Sequence, residues 1–483
     1  MKIAHYEPRT TPYEHQRSTL EEMWDAEGWG FIFEMGTGKS KTTVDNICML
    51  REVGGLTKVL IVAPKGTYET WSEKQIPEHM PERHLSTTFV HLWRGGGSPK
   101  EQRDLSRIMG VRDYMCILVM NIEALSMSTK AQRTVDEFMR HGRTMVVVDE
   151  SSTIKNPQAI RTKRLLRIGR AAAWRRILTG TPATRSPLDM WSQMEFVEPG
   201  CLGFRSYYAF RARFAIVEKK HFGGRSVDIV VGHRDTDVLA SRVADHATII
   251  RKEDCLDLPP KVYETRYVEM TEEQERLYAD LKKYATAEIE AGTFVTTTQV
   301  ITQILRLHQI LCGHVVNEQG GVTDVPTRRL DALEELIEET SGQNIVWCSY
   351  RRDVDKVVER LTRMGRRVVR YDGSTSQVDR ALAVDLFQEG KVDDFVGTPH
   401  AGGYGLTLTK ARTVIYYSNS YDLEKRLQSE DRAHRIGQTG SVLYVDLMVR
   451  GTVEERIVEA LHRKQTLASI IMDGPARVRE LIG

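Results

Sequence analysis

The chain lacks any long apolar run. None of its hydrophobic stretches approaches the roughly 20 residues that cross a bilayer as a helix. Its N-terminus also lacks the basic and then apolar pattern of a secretory signal. We therefore expect no membrane segment and a cytoplasmic protein.

Cysteine and net charge are also scarce. The six cysteines among 483 residues form no CxxC pair, and Cys312 with nearby His314 lacks companions at ligand spacing. This pattern indicates a reducing compartment and no structural zinc. Lys and Arg total 68 against 66 acids, giving a net charge of +2. Any binding of nucleic acid must therefore come from local basic patches.

What the chain does contain is a repeated alternation of short apolar runs and helical patterns. Runs that are apolar on both faces favour parallel sheets covered by helices. In the first half we predict strands at 30–33, 58–62, 116–119 and 145–148, and a helix over 40–53 that ends at two glycines. In the second half we predict strands at 344–348, 367–370, 394–396, 413–417 and 442–445, with helices over 353–364 and 377–388.

The stretch between the halves has a different pattern. Residues 221–225 are typical of a hairpin tip, and a helical run follows over 271–311. The sequence therefore predicts an α/β fold with two lobes, each a mostly parallel sheet covered by helices, joined by a mixed helical and hairpin insertion. The expected domains are 1–195, 196–325 and 326–483.

A phosphate-binding loop is predicted where the first strand meets the first helix. The residues are Gly36-Thr37-Gly38-Lys39-Ser40, with Phe33 where the strict pattern has a glycine. Glycines let backbone N–H groups approach phosphate oxygens, and the helix N-terminus adds partial positive charge. Lys39 would reach the β- and γ-phosphates, and the Ser40 hydroxyl would ligate Mg²⁺.

Two acids follow the strand 145–148. Asp149 and Glu150 stand where one carboxylate can hold Mg²⁺ and its neighbour can orient a water. Because this strand and the phosphate loop are expected at the same edge of the sheet, the pair indicates hydrolysis. Residues 178–182 follow another short apolar run. Their hydroxyl groups are compatible both with sensing the γ-phosphate and with a capped turn.

A pair of arginines lies near the C-terminus. Arg432 and Arg435 are three residues apart and would share one face of a helix, with Gln428 on the same side. The planar guanidinium fork suits phosphate oxygens. By itself, the spacing fits both a solvated helix face and a phosphate-binding pair.

These pieces, in this order, resemble the Swi/Snf family of helicase superfamily two, whose members are ATP-driven translocases on double-stranded DNA. The string Asp431 to Gln438 is the most specific match, and the resemblance covers most of the chain. The matching segments are 13–16, 34–40, 62–64 with Trp71, 149–150 with 155–156, 178–182 with Trp191 and 199–200, 372–375, 401–406, 428 with 431–438, and 451–455.

The resemblance implies two RecA-like lobes with Mg²⁺ and ATP between them. The residues that it implies for ATP binding are Tyr13, Gln16, Gly36, Thr37, Gly38, Lys39, Ser40 and Gly405. Those that it implies for catalysis are Lys39, Asp149, Glu150, Gln428, Arg432 and Arg435, with Ser40 and Asp149 as metal ligands and Arg435 nearest the γ-phosphate. Loops after strands are the expected phosphate contacts on nucleic acid, at Lys65, Asn121, Thr398 and Thr407.

The chain departs from the family pattern at Ser152, where a histidine is usual, and at Thr407, where an asparagine is usual. We therefore expect the coupling between ATP hydrolysis and DNA contact to differ from that of the family. We expect a bare motor without accessory domains, more typical of a viral chain (then in the host cytoplasm) or a prokaryotic one.

Two other functions fit the same residues: a strand-separating DNA or RNA helicase, and a nucleotide-gated binding protein with slow turnover. The basic residues of 161–170 suit either a solvated face or a DNA-tracking surface. Those that flank the hairpin tip, Lys219, Lys220 and Arg225, are further candidates for DNA contact. The sequence leaves the pathway, direction of movement, oligomeric state and protein partners open.

Overall fold

The structure is a computed structural model that describes residues 6–65, 67–110, 114–140, 142–180, 182–183, 186–222, 225–255, 258–290, 297–317, 319–401, 406–435 and 437–462. The chain divides into two compact units. Unit 1 comprises Met1–Lys220 and Val227–Asp257, and unit 2 comprises His221–Ser226 and Leu258–Gly483. The three-part division expected from the sequence stays a prediction.

Unit 1 is built on a parallel sheet that, in the described residues, has seven strands in the order β3-β4-β2-β5-β6-β1-β9. A separate two-stranded sheet pairs β7 with β8, as the hairpin prediction requires, although its tip at 223–224 lies outside the described residues. The strands are β1 (Gly28–Phe33), β2 (Lys58–Ala63), β3 (Thr88–Leu92), β4 (Met115–Asn121), β5 (Thr144–Asp149), β6 (Trp174–Thr179), β7 (Ala215–Phe222), β8 (Arg225–His233) and β9 (Ala247–Ile250).

Helices cover both faces of this sheet. Successive residues of β2 point to opposite faces, and each face is buried: Val59 and Ile61 join one core cluster, Leu60 and Val62 the other. The helices are α1 (Glu14–Met23), α2 (Lys39–Gly54), α3 (Tyr68–Thr70), α4 (Ile76–His79), α5 (Glu82–Leu85), α6 (Pro99–Gly110), α7 (Ala124–Met127), α8 (Thr129–Met139), α9 (Ile160–Arg170), α10 (Met190–Val197), α11 (Tyr207–Phe214), α12 (Thr236–Ala244) and α13 (Lys252–Cys255). A π-helical segment spans Trp71–Gln75, and 3₁₀ turns span Ser151–Ile154 and Pro187–Asp189.

Unit 2 repeats this plan with a parallel sheet whose order, in the described residues, is β10-β17-β16-β13-β15-β14. The antiparallel pair β11 and β12 forms its own small sheet. The strands are β10 (Lys261–Tyr267), β11 (His314–Val316), β12 (Val322–Asp324), β13 (Gln343–Trp347), β14 (Val368–Tyr371), β15 (Asp394–Gly397), β16 (Ala411–Tyr416) and β17 (Val442–Met448). The helices are α14 (Glu272–Glu290), α15 (Thr297–Leu311), α16 (Arg329–Glu339), α17 (Arg351–Arg363), α18 (Gln377–Gln388), α19 (Leu423–Ala433) and α20 (Val453–His462).

The predicted α/β architecture is confirmed. Each predicted strand is present within three residues of its expected bounds, and the helical run 271–311 contains α14 and α15. Strand β6 begins well before its apolar end. The sequence does not mark this start, because Arg175 and Arg176 interrupt the hydrophobic pattern. Both arginines are nevertheless buried, and Arg176 Nε donates to Asn46 Oδ1 at 3.0 Å. Within the described ranges of the chain, no helix combines the length and the apolar composition that crossing a bilayer would need.

Candidate active site

The phosphate loop of unit 1 has the predicted strand–turn–helix geometry. Strand β1 ends at Phe33, and α2 begins at Lys39. Between them Gly36 and Gly38 have φ angles of 83° and 91°, in the left-handed region that side chains disfavour. Lys39 Nζ donates to the Phe33 carbonyl at 2.8 Å. The lysine therefore folds back over the loop whose phosphate it is predicted to bind.

Segment 13–16, two residues of which are predicted to bind ATP, is attached to this loop. Gln16 Nε2 donates to the Thr37 carbonyl at 3.1 Å, and His15 Nε2 lies 2.8 Å from the same oxygen. The backbone N–H of Tyr13, at the start of α1, donates to Gln16 Oε1 at 3.0 Å. A Cβ on Gly38 would lie only 1.9 Å from Gln16 Nε2. The Gln16 amide thus holds the phosphate loop in shape, and its role in ATP binding stays a prediction.

Parallel pairing brings the predicted acids to the same sheet edge as the loop. Strand β6 lies between β1 and β5, with Ile32 opposite Thr179 and Asp149 opposite Leu178. The carboxyl ends of the three strands therefore meet at one edge. Gly180, directly after β6, also packs on the phosphate loop, since a Cβ there would lie 3.2 Å from the backbone nitrogen of Met35. Thr181 lies outside the described residues.

Asp149 is held by hydrogen bonds at both carboxylate oxygens. Trp71 Nε1 donates to Oδ2 at 2.9 Å, and the backbone N–H of Glu150 donates to Oδ1 at 3.0 Å. Burial raises the pKa of Asp149, while the indole N–H and the charge of Lys39 act to lower it. The family pattern marks Trp71 in the sequence, but nothing there signals its contact with Asp149.

Glu150 has an unusual backbone. Its φ of 48° and ψ of 61° are left-handed, which costs an ordinary residue about 1–2 kcal/mol. The N–H and hydroxyl of Thr153 both donate to the Glu150 carbonyl, at 3.0 and 2.8 Å. Strained residues of this kind persist only when their surroundings hold them in place. The turn that follows Glu150 therefore helps to hold its left-handed conformation.

In unit 2 the arginine pair does not share a helix face, because the segment is not helical as far as Arg435. Helix α19 ends at Ala433, and His434 leaves it with φ −96° and ψ 81°. Arg432 therefore belongs to the helix, and Arg435 follows it. Gln428 is buried within the helix, where its Nε2 donates to Glu424 Oε1 at 3.3 Å.

The two guanidinium groups converge by another route. Nη1 of Arg432 and Nη1 of Arg435 donate to the same backbone carbonyl, that of Leu406, at 3.3 and 3.0 Å. Burial lowers the pKa of Arg435, and the carboxylate of Asp431 opposes that effect. Because two nearby cations repel each other, this position favours an anion such as a phosphate group. Gly405, which precedes Leu406, lies outside the described residues.

Two of the predicted nucleic-acid residues lie at the same edge of the unit 1 sheet as the acids. Asn121 ends β4 opposite Ala63 of β2, and Lys65 follows β2 as an exposed side chain. The Asn121 side chain also has a structural role, since its Oδ1 accepts from the backbone N–H of Ala124 at 2.9 Å. In unit 2 both Thr398, directly after β15, and Thr407 are half-buried.

Three arginines of the basic run of α9 have partners within unit 1. Their ion pairs and a backbone hydrogen bond favour a solvated helix face over a DNA-tracking surface for those residues. The contacts are Arg164 with the Leu125 carbonyl, Arg167 with Asp136, and Arg170 with Glu195.

A buried cluster of His308, Cys312 and Glu454 in unit 2 has the spacing of a possible cation site. The structure explains it differently. Both Glu454 oxygens accept from Arg329 Nη2, at 2.7 and 2.6 Å. A guanidinium so placed repels a metal ion, and Glu454 instead forms a buried ion pair with Arg329. The expectation of no zinc at Cys312 and His314 stays a prediction.

Comparison with known proteins agrees with this geometry. The SNF2-related domain family matches residues 15–315, and the helicase conserved C-terminal domain family matches residues 328–437. The parallel sheets, the phosphate loop and these two domains define a nucleic-acid-dependent ATPase of helicase superfamily two. Because the first match covers more than half of it, the chain belongs to the SNF2-related family.

The named relatives are much longer than this chain. It is 29% identical over 379 residues to the TATA-binding protein-associated factor MOT1 of Saccharomyces cerevisiae, covering 68% of this chain and 20% of that protein. It is 26% identical over 524 residues to Protein CHROMATIN REMODELING 24 of Arabidopsis thaliana, covering 94% of this chain and 45% of the relative. A solved structure titled "Sulfolobus solfataricus SWI2/SNF2 ATPase core in complex with dsDNA" is 23% identical, with 99% and 96% coverage and a TM-score of 0.42.

Proposed function

We propose that the chain is an ATP-dependent translocase on double-stranded DNA that hydrolyses Mg²⁺-ATP. The observation that carries this proposal is the meeting of the phosphate loop with Asp149 and Glu150 at one sheet edge. Membership in the SNF2-related family supports the ATPase activity, and the names of the relatives supply the reason for testing duplex DNA first.

The residues present fit the substrate and its metal. Left-handed glycines at 36 and 38 open the loop backbone, where a Cβ on Gly38 would collide with Gln16. The oxygens of Ser40 and Asp149 are the kind of ligand that Mg²⁺ prefers, and Mg²⁺ would neutralise charge on the phosphates. In this proposal Lys39 binds the terminal phosphates and Glu150 takes a proton from the attacking water.

The arginines of unit 2 keep their predicted catalytic roles in this proposal. Arg435 stabilises the charge that develops on the γ-phosphate, and Arg432 supports it, because both guanidinium groups gather at the Leu406 carbonyl. Tyr13, Gln16, Gln428 and the phosphate contacts from Gly36, Thr37, Gly38 and Gly405 keep their predicted roles. A cytoplasmic location also stays a prediction.

The test is the ATPase rate measured in parallel with duplex DNA, single-stranded DNA and RNA. We expect stimulation by duplex DNA, together with displacement of a third strand from a triplex and no separation of the duplex. Stimulation by RNA alone would overturn the proposal. A rate that no nucleic acid increases would favour the nucleotide-gated binding protein instead.

Affinity for DNA should fall steeply with salt, because each phosphate contact releases counterions. The slope of log K against log salt is about 0.9 per contact on duplex DNA. Lys65→Ala should reduce that slope by about 1. The matched control is Lys391→Ala, an exposed lysine that precedes β15 at the opposite, amino edge of its sheet.

The two-stranded sheet of β7 and β8 is an observation that favours a second candidate function, the separation of nucleic-acid strands. A β-ribbon of this kind is a candidate for a pin that divides a duplex, with exposed Ile216 and Val231 on its strands. Unwinding of a forked duplex by the wild-type chain, lost on replacing both side chains by serine, would establish this second function.

A further inference from the structure

Helix α10 carries two neighbouring polar side chains that contact the turn after Glu150. Ser151 Oγ donates to Gln193 Oε1 at 2.6 Å, and Ser192 Oγ donates to the Lys155 carbonyl at 3.2 Å. Ser151, Ser192 and Gln193 are all fully buried. A buried polar side chain without partners is destabilising, so these contacts hold α10 and the turn in a defined arrangement.

The other end of the same amide reaches the loop after β6. Gln193 Nε2 donates to the Pro182 carbonyl at 2.6 Å and to the Asp189 carbonyl at 2.9 Å. Carbonyl oxygens only accept, so the nitrogen must face them and the oxygen must face the Ser151 hydroxyl. One buried amide thus joins the turn that follows Glu150 to the end of segment 178–182.

Glu150 needs such support because its backbone is left-handed, with φ 48°. Ser151 is its direct neighbour, so any shift of Ser151 rotates the peptide that carries the Glu150 side chain. A displacement of about 1 Å in a catalytic group can lower a rate about 10²-fold.

We propose that Gln193 is a positioning residue that fixes Glu150 through Ser151 and links it to the loop at Pro182. The inference rests on the proposed role of Glu150 in hydrolysis. Ser151 and Gln193 then link the turn after Glu150 to segment 178–182. The chain has Ser152 where the family has a histidine. No pattern in the sequence marks Gln193, because its partners are 42, 11 and 4 residues away.

The test combines Gln193→Met, which keeps the length of the side chain and removes its hydrogen bonds, with Ser151→Ala and the double variant. We expect Gln193→Met to lower kcat about 10- to 100-fold, within the range given by such displacements. The KM for ATP should stay within about twofold, because the phosphate loop is untouched. The double variant should lose no more than Gln193→Met alone, since both changes break one network.

The matched control is Gln274→Met in unit 2. Gln274 is 1% exposed, and its Nε2 also donates to two backbone carbonyls, those of Ile310 and Leu311, at 2.8 and 3.1 Å. Gln274→Met removes a similar buried amide at a place without predicted catalytic residues. The kcat of this variant should therefore stay at the wild-type value. A general loss of stability would affect both variants, whereas a positioning role affects only Gln193.

A kcat for Gln193→Met equal to that of Gln274→Met overturns the inference, as do additive effects of Gln193→Met and Ser151→Ala. If Gln193→Met does not fold, Ser151→Ala decides the question by the same split between kcat and KM. If the Glu150→Gln variant keeps the wild-type activity, the proposed role of Glu150 is overturned instead. The two failures are therefore distinguishable.

Discussion

Replacing Gly38 by alanine tests the contact between the phosphate loop and α1. A side chain at φ 91° costs about 1–2 kcal/mol from left-handed strain alone. The new Cβ would also lie 1.9 Å from Gln16 Nε2, so the amide must move. That movement breaks its hydrogen bonds with Thr37 and Tyr13, worth about 1 kcal/mol each. The expected loss of unfolding free energy is therefore about 3–4 kcal/mol.

The other end of α2 supplies the control. Gly55 is also left-handed, with φ 70°, and a Cβ there would meet nothing within 4 Å. Gly55→Ala should therefore cost only the strain, about 1–2 kcal/mol. Urea denaturation measures both losses, and titration measures the affinity for ATP. We expect weaker ATP binding in Gly38→Ala and unchanged binding in Gly55→Ala.

A double variant isolates the Gln16 contact. Gln16→Ala should cost about 2 kcal/mol in the wild-type chain, from the two lost hydrogen bonds. It should cost almost nothing in the Gly38→Ala background, where those bonds are already broken. Additive losses, or equal stability and ATP affinity for Gly38→Ala and Gly55→Ala, would refute the reasoning.

Three further predictions concern unit 2. Arg435→Ala should lower kcat about 10³-fold, or about 4 kcal/mol, and normal turnover in that variant would contradict its catalytic role. Arg329→Ala should lower the unfolding free energy by about 3–5 kcal/mol because Glu454 then lacks the guanidinium that donates to both its oxygens. Breaking the exposed pair with Arg367→Ala should cost under about 1 kcal/mol. Burial alone would raise the pKa of Glu454, but the charge of Arg329 makes it lower than usual. This stabilisation is therefore complete above the unfolded pKa of about 4.3 and is lost as the pH falls through the lower folded value. Other carboxylates with lowered pKa values add to the decline in both chains, so urea denaturation across that range should show a smaller decline in Arg329→Ala than in wild type.

The sequence determined the fold class because parallel strands buried on both faces are apolar over most of their length. It therefore marked β2, β4, β5 and the central strands of unit 2. It marked β6 only at its apolar end. Arg175 and Arg176, earlier in that strand, are buried because they make long-range hydrogen bonds, which the local pattern does not display. The phosphate loop was also readable locally, since a left-handed turn before a helix requires glycine at fixed positions.

Only the tertiary structure decided how the candidate site is supported. Asp149 meets Trp71 across 78 residues, and Ser151 meets Gln193 across 42. Arg435 lies beyond the end of α19 and reaches the Leu406 carbonyl from there, so the pair converges without the helical spacing that the sequence suggested. Backbone shape follows from the sterics of neighbouring residues, which sequence displays. Contacts between distant side chains follow from how elements pack, and a single sequence carries no local sign of them.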